Sequence, residues 1–291
     1  MYKSINQWSF AGGMDAKACL LAAKAAGFAG INVELTRVLV FVRCGLLVGV
    51  AAFLKIAKDT SFDPATSGRN FELYAIAAVV IWQHPLTAES LAARKIAEDI
   101  VRAQLDCAAA LGVGAILVVP GTVGRGFWGG SECTAYADAY ARAQEALVRL
   151  APEAQARGVV IGVENVWNNF LLSPLEMARF LDEIDSPFVR AYFDIGNVVR
   201  TGEPADWIRT LGSRIARVHV KDFKRSVDTI AGFCDLLAGD VDFPAALAAL
   251  RAAGYDGALT AEMNPYPGYP TAMAEQTSRA MDILLAAAGE G

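Results

Sequence analysis

Four side chains of metal-binding types each stand at or near the end of a short apolar run in this sequence. They are Glu164, Asp194, His219 and Glu262, at intervals of 30, 25 and 43 residues. A buried carboxylate is costly to desolvate unless it is paired with a cation or bound to a metal. Mixed oxygen and nitrogen donors suit Mn²⁺, Co²⁺ or Mg²⁺, whereas a structural zinc ion is commonly held by thiolates. These residues therefore predict a site for one divalent metal ion.

A cation enclosed by these groups predicts a particular chemistry. It would offset the repulsion between the carboxylates, hold two neighbouring oxygens of a substrate, and acidify a carbon-bound proton beside a carbonyl by stabilising the enediolate. Glu164 and Glu262, at the first and last of the four positions, would face each other across this centre. One glutamate can then remove a proton while the other returns one.

The runs that precede these four side chains have the character of buried strands. The segments 158–165, 189–194, 215–220 and 258–262 are short and largely apolar, as is typical of strands that are covered on both faces. An eightfold barrel of about 250 residues has roughly 30 residues in each strand–helix unit, which is near the observed intervals. We therefore expect an α/β fold, a single (β/α)8 TIM barrel over residues 1–291, with the four side chains converging at the carboxyl ends of the strands.

The remaining elements follow from similar signals. Further strands are expected at 4–10, 29–34, 74–81 and 115–120, and helices from 15 to 26, after 87, from 132 to 156, after 204 and from 271 to 288. Ser173 with Pro174, and Asp242 with Pro244, are pairs of a capping residue and a proline that predict two more helix starts.

The composition excludes some classes of partner. The net charge of −5 and a sequence pI of about 5.2 disfavour a polyanionic partner, so no nucleic acid is expected. Five scattered cysteines without a CxxC pair are typical of reduced thiols, and the amino terminus lacks the apolar core of a signal peptide. These features predict a cytoplasmic protein without a membrane partner.

One stretch breaks the pattern of the rest. Residues 37–58 contain four basic residues and no acidic one, and are otherwise nearly all apolar. A membrane span here would hold Arg43 in lipid, which is expensive, so a buried helix is the preferred interpretation. The abrupt change in composition leaves a third interpretation open, namely out-of-frame translation up to about residue 75. For the whole of 36–75, native, divergent and frame-shifted sequence therefore remain alternatives.

Four motifs carry a resemblance to a known family. They are Val163-Glu164-Asn165, Phe193-Asp194-Ile195-Gly196-Asn197, Val218-His219-Val220-Lys221-Asp222 and Ala261-Glu262. In this order they resemble the xylose-isomerase-like barrel superfamily, in its sugar (phosphate) isomerase/epimerase branch, over roughly residues 1–35 and 76–291. That branch includes ketose 3-epimerases, hydroxypyruvate isomerase and ketopentose-phosphate 3-epimerases.

The resemblance implies a role for each of these residues. A single Mn²⁺-like ion, with Co²⁺, Mg²⁺ or Zn²⁺ as alternatives, would lie on Glu164, Asp194, His219 and Glu262, and the two glutamates would be the acid/base pair. Arg225, six residues after His219, matches a family arginine that contacts the substrate and approaches the first glutamate. A sugar or sugar-phosphate substrate and a homodimer or homotetramer are implied as well.

Two positions depart from the family pattern. Asn197 stands three residues after the metal aspartate, where the epimerases commonly have a substrate-contacting histidine. Phe170 stands six residues after Glu164, where the ketose epimerases have a second acidic residue. Both departures leave the metal ligands intact and put the identity of the substrate in doubt.

Other side chains near the expected strand ends are candidates for contact with a substrate. With Arg225 and Asn197, they are Asn6, Trp8, His84, Trp128, Asn165, Trp167 and Lys221. Indole rings can form the apolar wall on which the C–H face of a sugar stacks, and asparagine amides can recognise its hydroxyls. Each also has a plainer interpretation: His84 as a satisfied loop histidine, Lys221 and Arg225 as solvated charges, and the tryptophans as packing at the barrel mouth.

Several functions remain open at this point. The first is a metal-dependent isomerase or epimerase, with a dehydratase of inosose type as a variant within the family. The second is a phosphodiesterase like the abasic-site endonucleases, which is disfavoured because three zinc ions need more than the two histidines of this acidic chain. The third is a non-catalytic carbohydrate-binding barrel or an inactive product, which only the stretch 37–58 supports.

Overall fold

The computed structural model of the chain describes residues 1–5, 16–28, 84–111, 113–125 and 133–289. The strands expected at 29–34 and 74–81, and the unusual stretch 37–58, lie outside these residues.

The described residues form two compact units. The larger unit contains residues 1–5, 16–28, 162–185 and 190–289, and the second contains residues 84–111, 113–125, 133–161 and 186–189. A single domain over the whole chain stays a prediction.

The strands of the described residues fall close to their expected positions. They are β1 (Tyr2–Ile5), β2 (Ala115–Val118), β3 (Val160–Glu164), β4 (Val189–Asp194), β5 (Ile215–Val220), β6 (Asp222–Phe223), β7 (Phe233–Cys234) and β8 (Ala258–Ala261). The bounds of β4 and β5 are those predicted, whereas β1 begins two residues earlier than predicted and β2 ends two residues earlier. The short antiparallel pair of β6 and β7 was not predicted.

Seven α-helices lie in the same described residues. They are α1 (Ala16–Ala25), α2 (Leu91–Leu111), α3 (Tyr136–Arg157), α4 (Pro174–Ile184), α5 (Pro204–Leu211), α6 (Phe243–Ala252) and α7 (Pro270–Gly289). Ser173 and Asp242 cap α4 and α6 as expected, because their side-chain oxygens accept hydrogen bonds from the backbone N–H groups of Glu176 and Ala245.

In the larger unit, parallel strands lie side by side with their carboxyl ends aligned. Within that sheet β1 pairs with β8, β8 with β5 and β5 with β4, and β4 lies beside β3. The register sets Asp194 of β4 opposite His219 of β5, and His219 opposite Thr260 of β8. Just past β8, the backbone N–H of Glu262 donates to the carbonyl of Val220, 3.1 Å away. The register therefore places Asp194, His219 and Glu262, three of the four candidate metal ligands, at the carboxyl ends of neighbouring strands.

In the second unit, an ion-pair ladder joins α2 and α3. Its contacts are Arg149 Nη2 to Glu98 Oε1 at 2.8 Å, Arg102 Nε to Glu153 Oε1 at 2.8 Å, and Arg157 Nε to Asp106 Oδ1 at 2.6 Å. Each pair is separated by 51 residues, so the two helices run parallel with one register. Most of these side chains are partly exposed, and such pairs contribute more to specificity of packing than to stability.

The cap of α4 generates the first prediction. Ser173→Ala removes the acceptor for the backbone N–H of Glu176, so we expect the free energy of unfolding to fall by about 1 kcal/mol. Urea denaturation followed by circular dichroism measures the change. Ser226→Ala, on an exposed loop, is the control and should leave the stability within about 0.5 kcal/mol. An equal loss in both variants would contradict the capping role.

Candidate metal centre

Four side chains from four strand ends meet in the larger unit. Glu164 ends β3, Asp194 ends β4, His219 lies one residue before the end of β5, and Glu262 directly follows β8. Each offers a ligand atom, and these atoms all lie within 4.8 Å of one another. Among the described residues this is a group of donors that could hold a metal ion.

The imidazole of His219 lies among the three carboxylates. Its Nδ1 atom is 2.8 Å from Glu164 Oε1, 3.1 Å from Glu262 Oε2 and 3.8 Å from Asp194 Oδ2. The ring of Tyr192 packs against the imidazole with a centroid distance of 4.5 Å. Because Tyr192 and Asp194 are two residues apart on one strand, they face the same side of the sheet.

The donor set fits a divalent ion. Ligand atoms about 2.2 Å from a common ion lie at most about 4.4 Å apart, so a spread of 4.8 Å needs only a small contraction. The side chain of Asp194 is fully buried, and its Oδ2 atom accepts no hydrogen bond from a described residue, although the Lys221 ammonium lies 3.3 Å away as an ionic partner. The lone pairs of this oxygen could bind a metal cation as well.

Lys221 brings a positive charge to this cluster. Its Nζ atom lies 2.7 Å from Glu262 Oε2 and 3.3 Å from Asp194 Oδ2. The side chain is only 19% exposed, so the interpretation of Lys221 as a solvated charge is not what the structure shows. Its backbone approaches Gly196 so closely that a Cβ atom on the glycine would lie 2.5 Å from the Lys221 Cβ.

The pKa values in the cluster follow from burial and from these contacts. Burial raises the pKa of Glu164 and of Asp194, because desolvation disfavours the charged form of a carboxyl group. Burial acts in the same direction on Glu262, but His219 and Lys221 beside it hold the pKa of that carboxyl well below its usual range.

The pKa values of the two basic groups, Lys221 and His219, depend on burial and on the same carboxylates. Burial would lower the pKa of Lys221 and of His219, yet the neighbouring carboxylates, and for His219 also Tyr192, raise both pKa values. The carboxylates that raise these two pKa values are groups that would also attract a metal cation.

Two asparagines connect the ends of β3 and β4. Asn165 Oδ1 accepts from the backbone N–H of Asp194 at 2.8 Å, and its Nδ2 donates to the Asp194 carbonyl at 2.9 Å. Asn197 Nδ2 donates to the carbonyl of Asn165 at 2.9 Å, and the Asn197 N–H donates to Asp194 Oδ1 at 2.8 Å. Both amides therefore position the candidate metal ligands, and their contact with a substrate stays a prediction.

Arg225 is engaged with the start of α5. Its guanidinium donates to the carbonyl of Val199 at 2.6 Å and to Glu203 Oε1 at 2.7 Å, and its backbone N–H donates to Asp240. No contact that the structure gives for Arg225 is with Glu164. The role of Arg225 in substrate contact stays a prediction.

An aromatic cluster lies next to Lys221. The ring of Trp167 packs against Phe223 and Phe233 at centroid distances of 5.2 Å each, and its Nε1 donates to the carbonyl of Asn197. The Lys221 ammonium lies 5.2 Å from the centre of the Phe233 ring. Trp167 is therefore part of an apolar surface that adjoins the site.

Phe170, the second departure from the family pattern, belongs to the protein core. It is buried, and its ring meets that of Phe180 on α4 edge to face at 5.7 Å. The position thus contributes packing and no charge.

The remaining candidates for contact with a substrate are His84, Asn6, Trp8 and Trp128. His84 lies in the second unit, half-buried and directly before Pro85. Asn6, Trp8 and Trp128 lie outside the described residues. Their predicted contacts with a substrate stay predictions.

Several residues around the site were not singled out from the sequence. Tyr192 could have been found, because alternation along a strand puts it on the face of Asp194. Phe223 and Phe233 meet Trp167 only through the β6–β7 pair, and two-residue strands leave no periodic signal. The close approach of Gly196 to Lys221 joins two strand ends, so no local pattern encodes it.

The chain belongs to the xylose isomerase-like TIM barrel family, which it matches over residues 20–285. This membership confirms the predicted fold class and the resemblance on which the site assignment was based.

Three solved structures share the fold. The structure of L-ribulose 3-epimerase matches with a TM-score of 0.69 and 17% identity, over 99% of this chain and 96% of that chain. D-Allulose 3-epimerase from Methylomonas sp. matches with a TM-score of 0.64 and 18% identity, over 98% of both chains. The IOLI protein with a bound zinc atom matches with a TM-score of 0.58 and 15% identity, over 70% of this chain and 73% of that one. Identities this low establish a shared fold alone.

Two curated proteins match parts of the chain. The ribose import permease protein RbsC of Escherichia coli (strain K12) is 44% identical over 52 residues, which are 18% of this chain and 16% of the permease. Protein MJ1311 of Methanocaldococcus jannaschii is 30% identical over 116 residues, 38% of each chain. The chain thus spans less than half the length of either relative.

None of the helices in the described part of the chain combines the length and the apolar character that crossing a bilayer requires.

The asparagine connection generates a ranked prediction. Asn165→Ala leaves the backbone N–H and carbonyl of Asp194 without partners, whereas Asn197→Ala removes one side-chain bond to the Asn165 carbonyl. We expect losses of about 2–4 kcal/mol and about 1–2 kcal/mol respectively in the free energy of unfolding. Urea denaturation of both variants tests the ranking. Each variant is the control for the other, because both replace a buried asparagine by alanine and differ in the hydrogen bonds that are lost. A larger loss at Asn197 would contradict the assignment.

Proposed function

We propose that the protein is a divalent-metal-dependent isomerase or epimerase of a sugar or sugar phosphate. The observation that carries the proposal is the convergence of Glu164, Asp194, His219 and Glu262, with ligand atoms within 4.8 Å of one another. Membership in the xylose isomerase-like family, and a fold shared with L-ribulose and D-allulose 3-epimerases, support the same reaction class.

In this proposal the four converging side chains hold one cation. We expect Mn²⁺, with Co²⁺, Mg²⁺ and Zn²⁺ as the alternatives; the zinc atom bound to the similar IOLI protein keeps zinc among them. When bound, the cation would supply Lewis acidity that makes a proton beside the substrate carbonyl easier to remove.

Glu164 and Glu262 perform the proton transfers. One carboxylate takes the proton from the carbon beside the carbonyl, and the other delivers a proton either to the opposite face of the same carbon or to the former carbonyl carbon. In the second case the hydroxyl proton of the first carbon also passes to the former carbonyl oxygen, so that the carbonyl group changes place. The first outcome is epimerisation and the second is exchange between ketose and aldose. Both glutamates contact His219 Nδ1, at 2.8 Å and 3.1 Å, so they are close enough to serve one substrate.

The surroundings of the cluster suit a polyhydroxylated substrate. The ring of Trp167, which packs on Phe223 and Phe233 and has the Arg200 guanidinium 5.2 Å from its centre, is the proposed apolar contact for C–H groups. The ammonium of Lys221 and the side chains of Arg225, Asn6, Trp8, His84 and Trp128 are the proposed contacts for the hydroxyl or phosphate groups. A homodimer or homotetramer is part of the same proposal.

A dehydratase of inosose type is the alternative within this family. It would use the same removal of a proton beside a carbonyl, after which a hydroxyl group leaves as water. The two reactions differ in their products, since only the dehydratase changes the mass of the substrate.

Metal binding gives the first test of the proposal. A ligand that binds only the folded state at about one hundred times its Kd raises the free energy of unfolding by about 2.7 kcal/mol. We therefore expect Mn²⁺ to raise the Tm of the chelator-treated protein, as measured by differential scanning fluorimetry. Asp194→Asn should remove most of this shift, whereas Asp206→Asn, on the exposed face of α5, should keep it. A Tm that no divalent ion changes would contradict the metal centre.

Proton exchange gives the second test. In D₂O with Mn²⁺, a panel of ketoses and ketose phosphates should include one that takes up deuterium at a single carbon, as read by NMR. Glu164→Gln and Glu262→Gln should each slow the exchange by about a hundredfold or more, because each removes a proton carrier. Glu275→Gln, an exposed change on α7, is the control and should leave the rate unchanged. Full exchange in both active-site variants would refute the assigned roles, and loss of water from the substrate would identify the dehydratase.

A further inference from the structure

Lys221, one of the proposed substrate contacts, also lies among the candidate metal ligands. Its ammonium contacts Glu262 Oε2 at 2.7 Å and Asp194 Oδ2 at 3.3 Å. Both carboxylates belong to the group of four donors that could hold a cation. The protein therefore supplies its own positive charge to two of the groups that a metal would bind.

The ammonium is held in place by its surroundings. The absence of a side chain at Gly196 lets the backbone of Lys221 lie against the turn after β4. The ring of Phe233 lies 5.2 Å from Nζ, and Phe223 and Trp167 support that ring. A lysine fixed in this way loses little further side-chain freedom when it contacts the carboxylates, so the contact is persistent.

We propose that Lys221 is a built-in competitor of the divalent cation, which weakens metal binding and keeps the ion exchangeable. The inference rests on the metal centre of the proposed function. An ammonium and a metal ion seek the same lone pairs on Glu262 and Asp194, and at such short separations their charges repel strongly in a buried site. The ion must therefore displace the ammonium or bind against its field.

The opposite role makes the opposite prediction. If Lys221 instead oriented the carboxylates for the ion, as hydrogen-bonded neighbours of metal ligands do, removing it would weaken metal binding. The sign of the change in affinity decides between the two roles without any measurement of activity.

Isothermal titration calorimetry with Mn²⁺ on the chelator-treated protein tests the proposal. We expect Lys221→Met to bind Mn²⁺ at least tenfold more tightly than the wild type. Lys221→Gln, which keeps a hydrogen-bond donor without the charge, should show the same sign and covers the case in which the methionine variant does not fold. Lys224→Met, the same substitution at an exposed neighbouring lysine, should change the Kd less than twofold.

Thermal melts give a second readout that is independent of calorimetry. Without metal, Lys221→Met should lower the Tm, because the carboxylates lose their ammonium partner. With saturating Mn²⁺ the difference from the wild type should narrow or reverse, because the tighter ion stabilises the variant more.

The outcomes separate the inference from the function on which it rests. Unchanged or weaker Mn²⁺ binding in the Lys221 variants, with a wild type that binds the ion, overturns the competition and leaves the metal centre standing. A wild type and variants that all fail to bind any divalent ion overturn both. Binding that appears only in the variants supports the competition in its strongest form.

Discussion

Three carboxylates enclosed within a few ångströms of one another repel, and compensation of their charge is the constraint on which this site depends. Glu164, Asp194 and Glu262 surround the imidazole of His219, and the ammonium of Lys221 contacts two of them. Burial strengthens both the repulsion and the attraction, because the surrounding dielectric is low. A cluster of this kind persists in a folded protein only if positive charge is supplied by side chains, by a metal ion or by both.

The strands make this arrangement possible, because parallel strands with a fixed register end at one edge of the sheet. Asp194 lies opposite His219, and the backbone of Glu262 continues the ladder beyond β8. The side-chain amide of Asn165 then ties the end of β3 to the backbone of Asp194. The donors are therefore placed by backbone hydrogen bonds and by the asparagines at positions 165 and 197, which keep them together despite their separation along the sequence.

The sequence was most informative where a single element carried the signal. Short apolar runs with Asp194 at the end of one and His219 near the end of the other predicted β4 and β5 at their observed bounds, and Ser173 before a proline predicted the start of α4.

Side-chain partnerships between distant segments were not accessible in the same way. From the sequence, Lys221 could be interpreted as a solvated charge. Its burial results from contacts with Gly196 and with the ring of Phe233, which the sequence does not show. Arg225 pairs with Glu203, 22 residues earlier in the chain, which a motif match could not show. Spacing along the chain predicts which strand ends meet, whereas the contacts of an individual side chain depend on how distant segments pack together.

The donor set also bears on which chemistry the centre can perform. One divalent ion that prefers six donors would use the four side chains and keep two positions for neighbouring oxygens of a substrate, as a hydroxy-carbonyl compound provides. Phosphodiester cleavage by a cluster of several zinc ions would need more imidazoles than His219 and His84, the two in the sequence. A site of three carboxylates and one imidazole is also negatively charged, which repels a nucleic acid backbone unless several cations are bound. The same residues therefore favour proton transfer on a small oxygen-rich substrate over hydrolysis of a polyanion.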